Sequence, residues 1–333
     1  MTDVRDLLRG TLPSLDWNGG SRLPDASRVL LPSDTVATAG VPAGVHFSIV
    51  GTAEAVEVRF RRGEPTWRPA PTLRGEFVVY TPDGSSTTAP LPRDADVAVI
   101  ELPARSEGEV IDIHLPETIQ LRFDSVVGVG GALEPAPQLP RWVVYGDSIT
   151  QGWSVSRAGL GWASLSGRRL GRELINLGFA RAARGELAAA DVIGASQADA
   201  VALAWGTNSY STLPADTDLI AATMRTFLTA VRQGLPDAPI AVISPVLRAD
   251  AEFLPNRFGA TQSDLRSALE DAVREFAAAT GDGNLLVIPG LDLVPADRFV
   301  ADRVHPDDAG HVALAQNVSS RLERFDSALH VKS

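Results

Sequence analysis

The spacing of apolar and polar residues divides the chain into two parts. Between residues 45 and 129, short segments alternate apolar with polar positions, and turn sequences such as Pro82-Asp83-Gly84 separate them. A period of two is typical of strands that bury one face. The predicted strands are Val45–Val50, Val56–Arg61, Glu76–Tyr80, Val97–Leu102, Val110–Leu115 and Ile119–Val127. Short strands at this spacing predict an all-β sandwich, or jelly-roll-like, domain.

After Pro140 the pattern changes to buried strands that alternate with helices. The predicted strands are Trp142–Tyr145, Leu174–Leu177, Ala200–Ala204, Ile240–Ser244 and Leu285–Ile288. The predicted helices cover residues 159–171, 184–197, 216–233, 261–280 and 307–325. Within 261–280, apolar residues recur every three or four positions, as on the buried face of a helix. Since strands that are joined through helices run parallel, the alternation predicts an α/β domain with a five-stranded parallel sheet between two helical layers.

The remaining segments suggest where one domain ends and the next begins. Residues 1–44 are rich in Gly, Pro, Ser and Asp, and we expect them to be irregular apart from one helical turn at the start. The segment Glu134–Pro140 contains three prolines and is interpreted as a stiff linker. A length of 333 residues also favours two domains. We therefore predict a β-sandwich domain over 1–138 and an α/β domain over 139–333.

The composition excludes several kinds of site and partner. The chain has no cysteine, which rules out disulfides, thiolate metal sites and a cysteine nucleophile. Its formal net charge is −11 and no basic cluster stands out, so neither nucleic acid nor an anionic membrane is an expected partner. The amino terminus lacks the apolar core of a signal peptide, and we expect a cytoplasmic protein. Whether the protein forms a homo-oligomer is left open by the sequence.

The first predicted strand of the second domain ends in Gly146-Asp147-Ser148. A glycine, an acid and a serine at this point end the strand and place a hydroxyl beyond the carboxyl end of the sheet. In open parallel sheets, ligands bind at that edge. The pattern therefore predicts that Ser148 is a nucleophile, with Asp147 in a structural role because its carboxylate can bond backbone groups of the turn.

A serine nucleophile needs a base, and the chain has five histidines. Two lie in the predicted β domain, one lies inside the last predicted helix and one is in the carboxyl-terminal tail: His46, His114, His311 and His330. His305 remains, and it precedes Pro306, which biases it to an extended conformation just before that helix. Asp302 can reach the other ring nitrogen and orient the imidazole, although Asp297 and Asp307 are also near in sequence.

The ends of the next two predicted strands offer donors for an oxyanion. Gly178 follows the second strand and supplies a backbone N–H, and Asn208 follows the third and supplies a side-chain amide. The Ser148 N–H makes a third donor. In a flavodoxin-like sheet with strand order 2-1-3-4-5, the first three strand ends lie side by side. We therefore expect these donors to converge near the Ser148 hydroxyl.

Four segments, in this order, resemble the four sequence blocks of the SGNH (GDSL-type) hydrolases: Gly146-Asp147-Ser148, Gly178, Gly206-Thr207-Asn208 and Asp302-Arg303-Val304-His305. The resemblance covers about residues 141–325. It implies a flavodoxin-like α/β/α fold and ester hydrolysis through an acyl-serine, with no metal and no cofactor. It also implies that Ser148 is the nucleophile, His305 the base and Asp302 its orienting acid, and that the Ser148 N–H, the Gly178 N–H and the Asn208 side chain form the oxyanion hole.

Two departures from the family pattern bear on the substrate. The first block reads Gly-Asp-Ser-Ile where the family name has Leu, and Asn208 is followed by Ser209 where many members have an acid, which disfavours a lipase-like branch. A β-sandwich before the SGNH domain is similar to the architecture of certain carbohydrate deacetylases. The expected substrate is therefore a small acyl ester, with acetyl on a saccharide preferred over a long-chain lipid.

Two alternatives stay open: a thioesterase or lysophospholipase, and, in a different class, a non-catalytic carbohydrate-binding protein. The candidate pocket residues are Trp153, Thr207, Arg248 and Arg257. The last two belong to a long loop, 248–259, that follows the fourth strand of the α/β domain. A loop at this edge either shapes the substrate site or is simply solvated.

Overall fold

The computed structural model describes residues 3–15, 19–63, 67, 70–106 and 108–332. In the first part of the chain, two antiparallel sheets face each other. One contains β1 (Leu8–Arg9), β2 (His46–Val50), β4 (Glu76–Tyr80), β5 (Ser86–Pro90), β7 (Ile111–His114) and β9 (Glu134–Pro135). Its order is β1-β2-β7-β4-β5, with β9 beside β2. The other contains β3 (Ala55–Gly63), β6 (Val97–Glu101) and β8 (Gln120–Val129), with β3 in the centre.

Alternate side chains of the two sheets form one apolar core. Phe47 and Ile49 of β2 point inward with Phe60 and Phe123, and all four are buried. The Phe47 and Phe123 rings meet edge to face at 5.0 Å. This confirms the predicted sandwich. The segment Glu134–Pro140 is more than a linker, because its first two residues pair with Ile49 and Val50 of β2.

The first 44 residues are more regular than expected, within the part that the structure describes. They contain α1 (Val4–Leu7), α2 (Asp25–Arg28) and α3 (Ser33–Thr38) in addition to β1, while the predicted irregular residues 16–18 lie outside the described chain. Four apolar side chains of this segment pack into the core of the α/β part: Leu12, Leu23, Leu31 and Ala39. The segment therefore contacts both parts of the molecule, and the division at 138/139 stays a prediction.

The second part has the predicted parallel sheet. Its strands are β10 (Arg141–Gly146), β11 (Glu173–Gly178), β12 (Ala200–Ala204), β13 (Ile240–Ile243) and β14 (Leu285–Ile288). All neighbouring pairs are parallel and the order is β11-β10-β12-β13-β14, which is the flavodoxin-like order 2-1-3-4-5. The fold class read from the sequence is confirmed.

Helices cover both faces of this sheet. The helices are α4 (Ser148–Gln151), α5 (Trp162–Leu170), α6 (Leu187–Gly194), α7 (Thr217–Gly234), α8 (Gln262–Thr280) and α9 (Asp308–Lys332), with a 3-10 turn over Thr207–Ser209. Helices α6, α7 and α8 share one buried apolar cluster with the sheet, and α5 and α9 share the other. The carboxyl ends of β10, β11 and β12 meet at one edge, where the site lies.

Candidate active site

Ser148 is presented by a tight strand-to-helix turn. Strand β10 ends at Gly146, and Asp147 caps the short helix α4 by accepting the Ile149 N–H at 3.0 Å. A side chain at Gly146 would lie 2.2 Å from the Thr150 hydroxyl and 2.4 Å from the Ala204 carbonyl, so only glycine permits this close approach. Ser148 is the first residue of α4, and 7 % of its surface is exposed.

His305 connects Ser148 to Asp302. The Ser148 hydroxyl lies 2.7 Å from His305 Nε2, and His305 Nδ1 lies 2.6 Å from Asp302 Oδ2. The other Asp302 oxygen accepts the N–H groups of Val304 at 2.9 Å and of His305 at 3.0 Å. Arg303 between them has a left-handed φ of 58°, which closes this turn. One acid therefore holds both the ring and the backbone of His305.

The charge state of Asp302 suits this arrangement. Partial burial acts to raise the pKa of Asp302, but hydrogen bonds from the His305 ring and from the His305 and Val304 N–H groups outweigh it and hold the pKa below its ordinary value. An ionised Asp302 accepts a hydrogen bond from His305 Nδ1–H. That leaves His305 Nε2 with a lone pair toward the Ser148 hydroxyl, which can then donate to it.

Asp147 lies buried behind the nucleophile, in contact with Thr207. Burial raises the pKa of Asp147 to about 6, although the Ile149 N–H, the charge of His305 and hydrogen bonds from Thr207 act against it. Thr207 is itself buried, so this predicted pocket residue supports the turn below Ser148. Together the two residues fix the backbone on which Ser148 stands.

The raised pKa of Asp147 predicts a pH-dependent cost in stability. As the pH rises from about 4 to about 6, the unfolded chain releases this proton while the folded protein retains it, so the free energy of unfolding falls by up to about 3 kcal/mol. Asp147→Asn removes that loss. In urea denaturation, we expect the stability of Asp147→Asn relative to the parent to increase between about pH 4 and about pH 7. The exposed Asp94→Asn should show no such trend, and an equally flat profile for Asp147→Asn would contradict this interpretation.

Asn208 extends from the end of β12 toward the loop after β11. Gly206, with φ at +125°, turns the chain into the 3-10 segment that carries Asn208. The Asn208 Nδ2 donates to the Ala182 carbonyl at 2.5 Å, and the residue is nine-tenths buried. An amide nitrogen has two hydrogens, and this bond uses one of them. The second N–H remains a candidate donor at the site.

The structure gives Gly178 a different role from the predicted one. Strand β11 continues through Gly178, which pairs with Gly146, and its N–H donates to Asn176 Oδ1 at 2.7 Å. A side chain at Gly178 would lie 2.3 Å from the Gln151 nitrogen. Gly178 is therefore a packing residue beneath α4, and the donor that the sequence assigned to the oxyanion hole is already occupied.

Three residues further on, Arg181 offers a backbone N–H in its place. Arg181 has a left-handed φ of 66°, which is rare for a residue with a side chain. On one side, the Ala180 N–H donates to Gln151 Oε1 of the nucleophile helix at 2.9 Å, and on the other, Ala182 bonds to Asn208. Arg181 thus lies between the two elements that carry Ser148 and Asn208. No glycine marks the position, so Arg181 was not among the residues predicted from the sequence.

Two of the other predicted pocket residues hydrogen-bond to backbone carbonyls of the site: the Trp153 N–H donates to Ser148 at 2.9 Å, and Arg248 Nη1 donates to Thr207 at 3.4 Å. Trp153 is half-buried just after α4. Arg248 is paired with Asp250 at 3.3 Å and stacks 4.9 Å above the Tyr210 ring. Arg257 is exposed and lies over the ring of Phe258. Contact of these residues with a substrate stays a prediction.

His311, which the sequence placed inside the last predicted helix, is fully buried near the site. Its Nδ1 accepts the Trp162 N–H at 3.2 Å, and burial lowers its pKa to about 4.

Among the described side chains, no three acids or histidines are grouped as ligands for a metal ion. In the same part of the chain, no helix combines the length and apolar character needed to cross a bilayer.

Solved structures share this architecture over nearly the whole chain. A salicylyl-acyltransferase, SsfX3, from a tetracycline biosynthetic pathway superposes with a TM-score of 0.81 at 25 % identity, covering 97 % of this chain and 94 % of its own. A GDSL-like lipase of Bacteroides ovatus gives 0.78 at 21 %, with 96 % of each chain covered. A family two carbohydrate esterase of Clostridium thermocellum, in complex with cellohexaose, gives 0.59 at 17 %, with 84 % and 91 % covered. No curated protein sequence matches the chain.

The fold and the site define a serine ester hydrolase. The sequence model of the GDSL-like lipase/acylhydrolase family matches residues 140–323, which is more than half of the chain. The chain therefore belongs to this family, and the resemblance noted from its four sequence blocks is confirmed.

Proposed function

We propose that Ser148, His305 and Asp302 form the catalytic triad of this esterase. The observation that carries the proposal is the continuous set of contacts from the Ser148 hydroxyl through His305 to Asp302, at 2.7 and 2.6 Å. Both distances lie within the hydrogen-bond range. The first allows a proton to pass from the Ser148 hydroxyl to His305, and the second allows Asp302 to orient the imidazole.

The reaction proceeds in two halves. Ser148 Oγ bonds to the ester carbonyl carbon as its proton passes to His305 Nε2, and the resulting tetrahedral intermediate breaks its bond to the alcohol oxygen, which takes that proton. Water then attacks the acyl-serine while His305 accepts one of its protons. Collapse of the second intermediate releases the carboxylic acid and returns the proton to Ser148. Asp302 stabilises the imidazolium in both halves.

The negative charge of each intermediate falls on the former carbonyl oxygen. The proposed donors are the Ser148 N–H at the start of α4, the Arg181 N–H and the second hydrogen of Asn208 Nδ2. Each lies on one of the three elements that meet at this edge: the turn after β10, the loop after β11 and the turn after β12. Donors held in place before the reaction stabilise the developing charge without reorganising.

Asn208→Ala should weaken this stabilisation. The loss of one oxyanion donor typically lowers kcat by roughly 10²- to 10³-fold, and we expect an effect of that size with KM little changed. Steady-state kinetics on p-nitrophenyl acetate measures both constants. Asn284→Ala serves as the matched control, since Asn284 immediately precedes β14 and its side-chain amide donates to the Asp237 carbonyl at 2.9 Å. Equal activity of the two variants would exclude Asn208 as a donor.

For the substrate, we propose a small acyl ester, and in particular acetyl on a carbohydrate. The overall architecture supports this proposal. Three solved structures that match 84–86 % of this chain are described as carbohydrate or acetyl xylan esterases. Rates on p-nitrophenyl esters of increasing chain length, and acetate release from acetylated oligosaccharides, test the assignment. We expect the highest kcat/KM with the acetyl ester. A rate that increases with chain length, or with a thioester, would favour a lysophospholipase or a thioesterase instead.

Acyl transfer to an alcohol is the second candidate. It is favoured by the match to SsfX3, which is named as an acyltransferase and covers nearly all of this chain. Transfer requires only that an alcohol, rather than water, attacks the acyl-serine. Adding increasing amounts of an alcohol to a hydrolysis reaction separates the two: a transferase forms new ester at the expense of free acid, whereas a hydrolase continues to release acid.

A further inference from the structure

We propose that a second cleft, between the β-sandwich and α5, binds a small monocarboxylate with an apolar body. The cleft has a volume of about 600 Å³, which is in the range of small-molecule sites. Its walls are the outward-facing side chains of β2 and β7, the turn after β4, helix α5 and the first residues of β11. Ser148 instead follows the carboxyl end of β10, at the opposite end of the parallel sheet, so this cleft is separate from the candidate active site.

The cleft contains a desolvated cation that forms no ion pair with an acid of the described chain. Arg168 of α5 lies with its guanidinium 4.1 Å above the Tyr80 ring and donates to the Gly159 carbonyl at 2.7 Å. Among the described ion pairs, none joins Arg168 to a carboxylate. The neighbouring Arg169 and Arg172 also line the cleft, but they are paired with Glu323 at 3.2 Å and with Asp326 at 2.5 Å. Of these three arginines, Arg168 is the one without an ion pair among the described residues, and the charge of Asp112 acts on it only from a distance.

A buried histidine beside Arg168 leaves a further donor unused. His114 is 2 % exposed, and its Nε2 lies 3.3 Å from Arg168 Nη1, which can donate to it. The hydrogen of a neutral His114 then belongs on Nδ1, which has no hydrogen-bond partner among the residues that the structure describes. The His46 ring stacks on His114 at 4.8 Å and donates through Nδ1 to the Gly44 carbonyl at 2.9 Å. The hydrogen on His46 Nδ1 is therefore already used, while the one on His114 Nδ1 is unused among the described residues.

The acid nearest to these groups is already engaged. Asp112 accepts the Ser48 hydroxyl at 2.7 Å, and its carboxylate lies 3.7 Å from His46 Nε2. The remaining surface includes four leucines: Leu139, Leu160, Leu165 and Leu174. A planar guanidinium with free N–H groups suits a carboxylate, which it can bind with two parallel hydrogen bonds. The leucines suit an apolar body, so a carboxylate with an aromatic or aliphatic tail fits better than a polyhydroxylated neutral sugar.

Histidine ring signals in NMR test this proposal on the full-length protein without any substitution. Two of the five histidines, His46 and His114, line the cleft, while His305 lies in the candidate active site and His311 is buried near it. On titration with sodium benzoate, the ring signals of His46 and His114 should shift, and benzamide, the neutral isostere, should bind at least tenfold more weakly. Shifts confined to His305 and His311, no shift in any ring, or equal affinity for benzamide would each overturn the proposal.

Arg168→Met provides the second arm, with Arg169→Met as the matched control. Methionine keeps an unbranched side chain against Tyr80 but removes the charge, so benzoate affinity should fall at least tenfold. Arg169→Met should bind benzoate like the parent, because Glu323 already compensates Arg169. Unchanged affinity in a folded Arg168→Met protein would contradict the role of the cation. The readout is binding, so its outcome is independent of whether Ser148 is the nucleophile.

Discussion

Replacing Ser148 with alanine should lower kcat for p-nitrophenyl acetate by roughly 10⁶-fold, which leaves only the background contributed by binding and the oxyanion donors. The hydroxyl forms the covalent bond to the acyl group, and no other side chain in the described set contacts His305 Nε2 in its place. Steady-state kinetics supplies the rate, and a thermal melt shows whether the variant is folded. Alanine fits the space of a buried serine, so we expect a melting temperature close to that of the parent.

Ser156→Ala is the matched control for this result. Ser156 follows closely in the chain, but its hydroxyl donates to Asp308 at 2.6 Å and not to the triad. This variant should retain parental kcat. Comparable losses in the two variants would mean that the effect of Ser148→Ala is structural, and an active Ser148→Ala protein would reject Ser148 as the nucleophile.

Replacing His305 with alanine should have the second large effect, a loss in kcat of roughly 10⁵- to 10⁶-fold. Without the imidazole, nothing accepts the Ser148 proton as the bond to the acyl carbon forms. Because the two residues act as a unit, the double variant with Ser148→Ala should be no slower than either single variant. Multiplicative losses would show that they act independently.

Chemical rescue separates a missing base from a damaged site. Free imidazole can enter the space that His305→Ala creates and accept the proton, so activity should increase with imidazole concentration. Ser148→Ala should not respond, since it lacks the atom that attacks. If both variants responded alike, the added imidazole would be hydrolysing the ester directly.

The parallel sheet could be predicted because its strands are buried on both faces, and such strands consist of consecutive apolar residues. Trp142, Val143 and Val144 are consecutive and completely buried, and a run like this is recognisable without any partner strand. Strand β5 was missed for the converse reason. Ser86 to Pro90 lie on the edge of their sheet and are largely exposed, so pairing to β4 leaves no apolar signature.

Two of the three proposed triad residues, Ser148 and His305, could be proposed from the sequence because each has a local backbone signal. Ser148 follows a strand that ends at a glycine and an acid, and His305 stands before a proline at the start of a helix. The Gly178 assignment failed because it depended on where β11 ends. The strand runs to Gly178, and the Asn176 side chain, two residues earlier, takes up its N–H. The left-handed turn at Arg181 has no such signal, since its residue type disfavours that φ.

The long-range contacts of buried charged residues could not be predicted from the sequence. Arg22 lies in a segment that composition describes as irregular, yet it is 2 % exposed and donates to the carbonyls of Val41, Asn176 and Gly178. It thereby joins the first 44 residues to the strand that leads into the Arg181 loop. The polar positions of β2 and β7 likewise predict a solvated face, whereas the structure covers them with α5 to form the second cleft.

The most direct test of the account is covalent labelling with a fluorophosphonate, followed by peptide mapping. The reagent phosphonylates a serine only when a neighbouring base removes its proton. The assignment of Ser148 as nucleophile and His305 as base predicts one labelled residue, Ser148, in the parent protein, and a labelling rate that falls by several orders of magnitude in His305→Ala. Labelling of another serine, or equally fast labelling of Ser148 without His305, would contradict it.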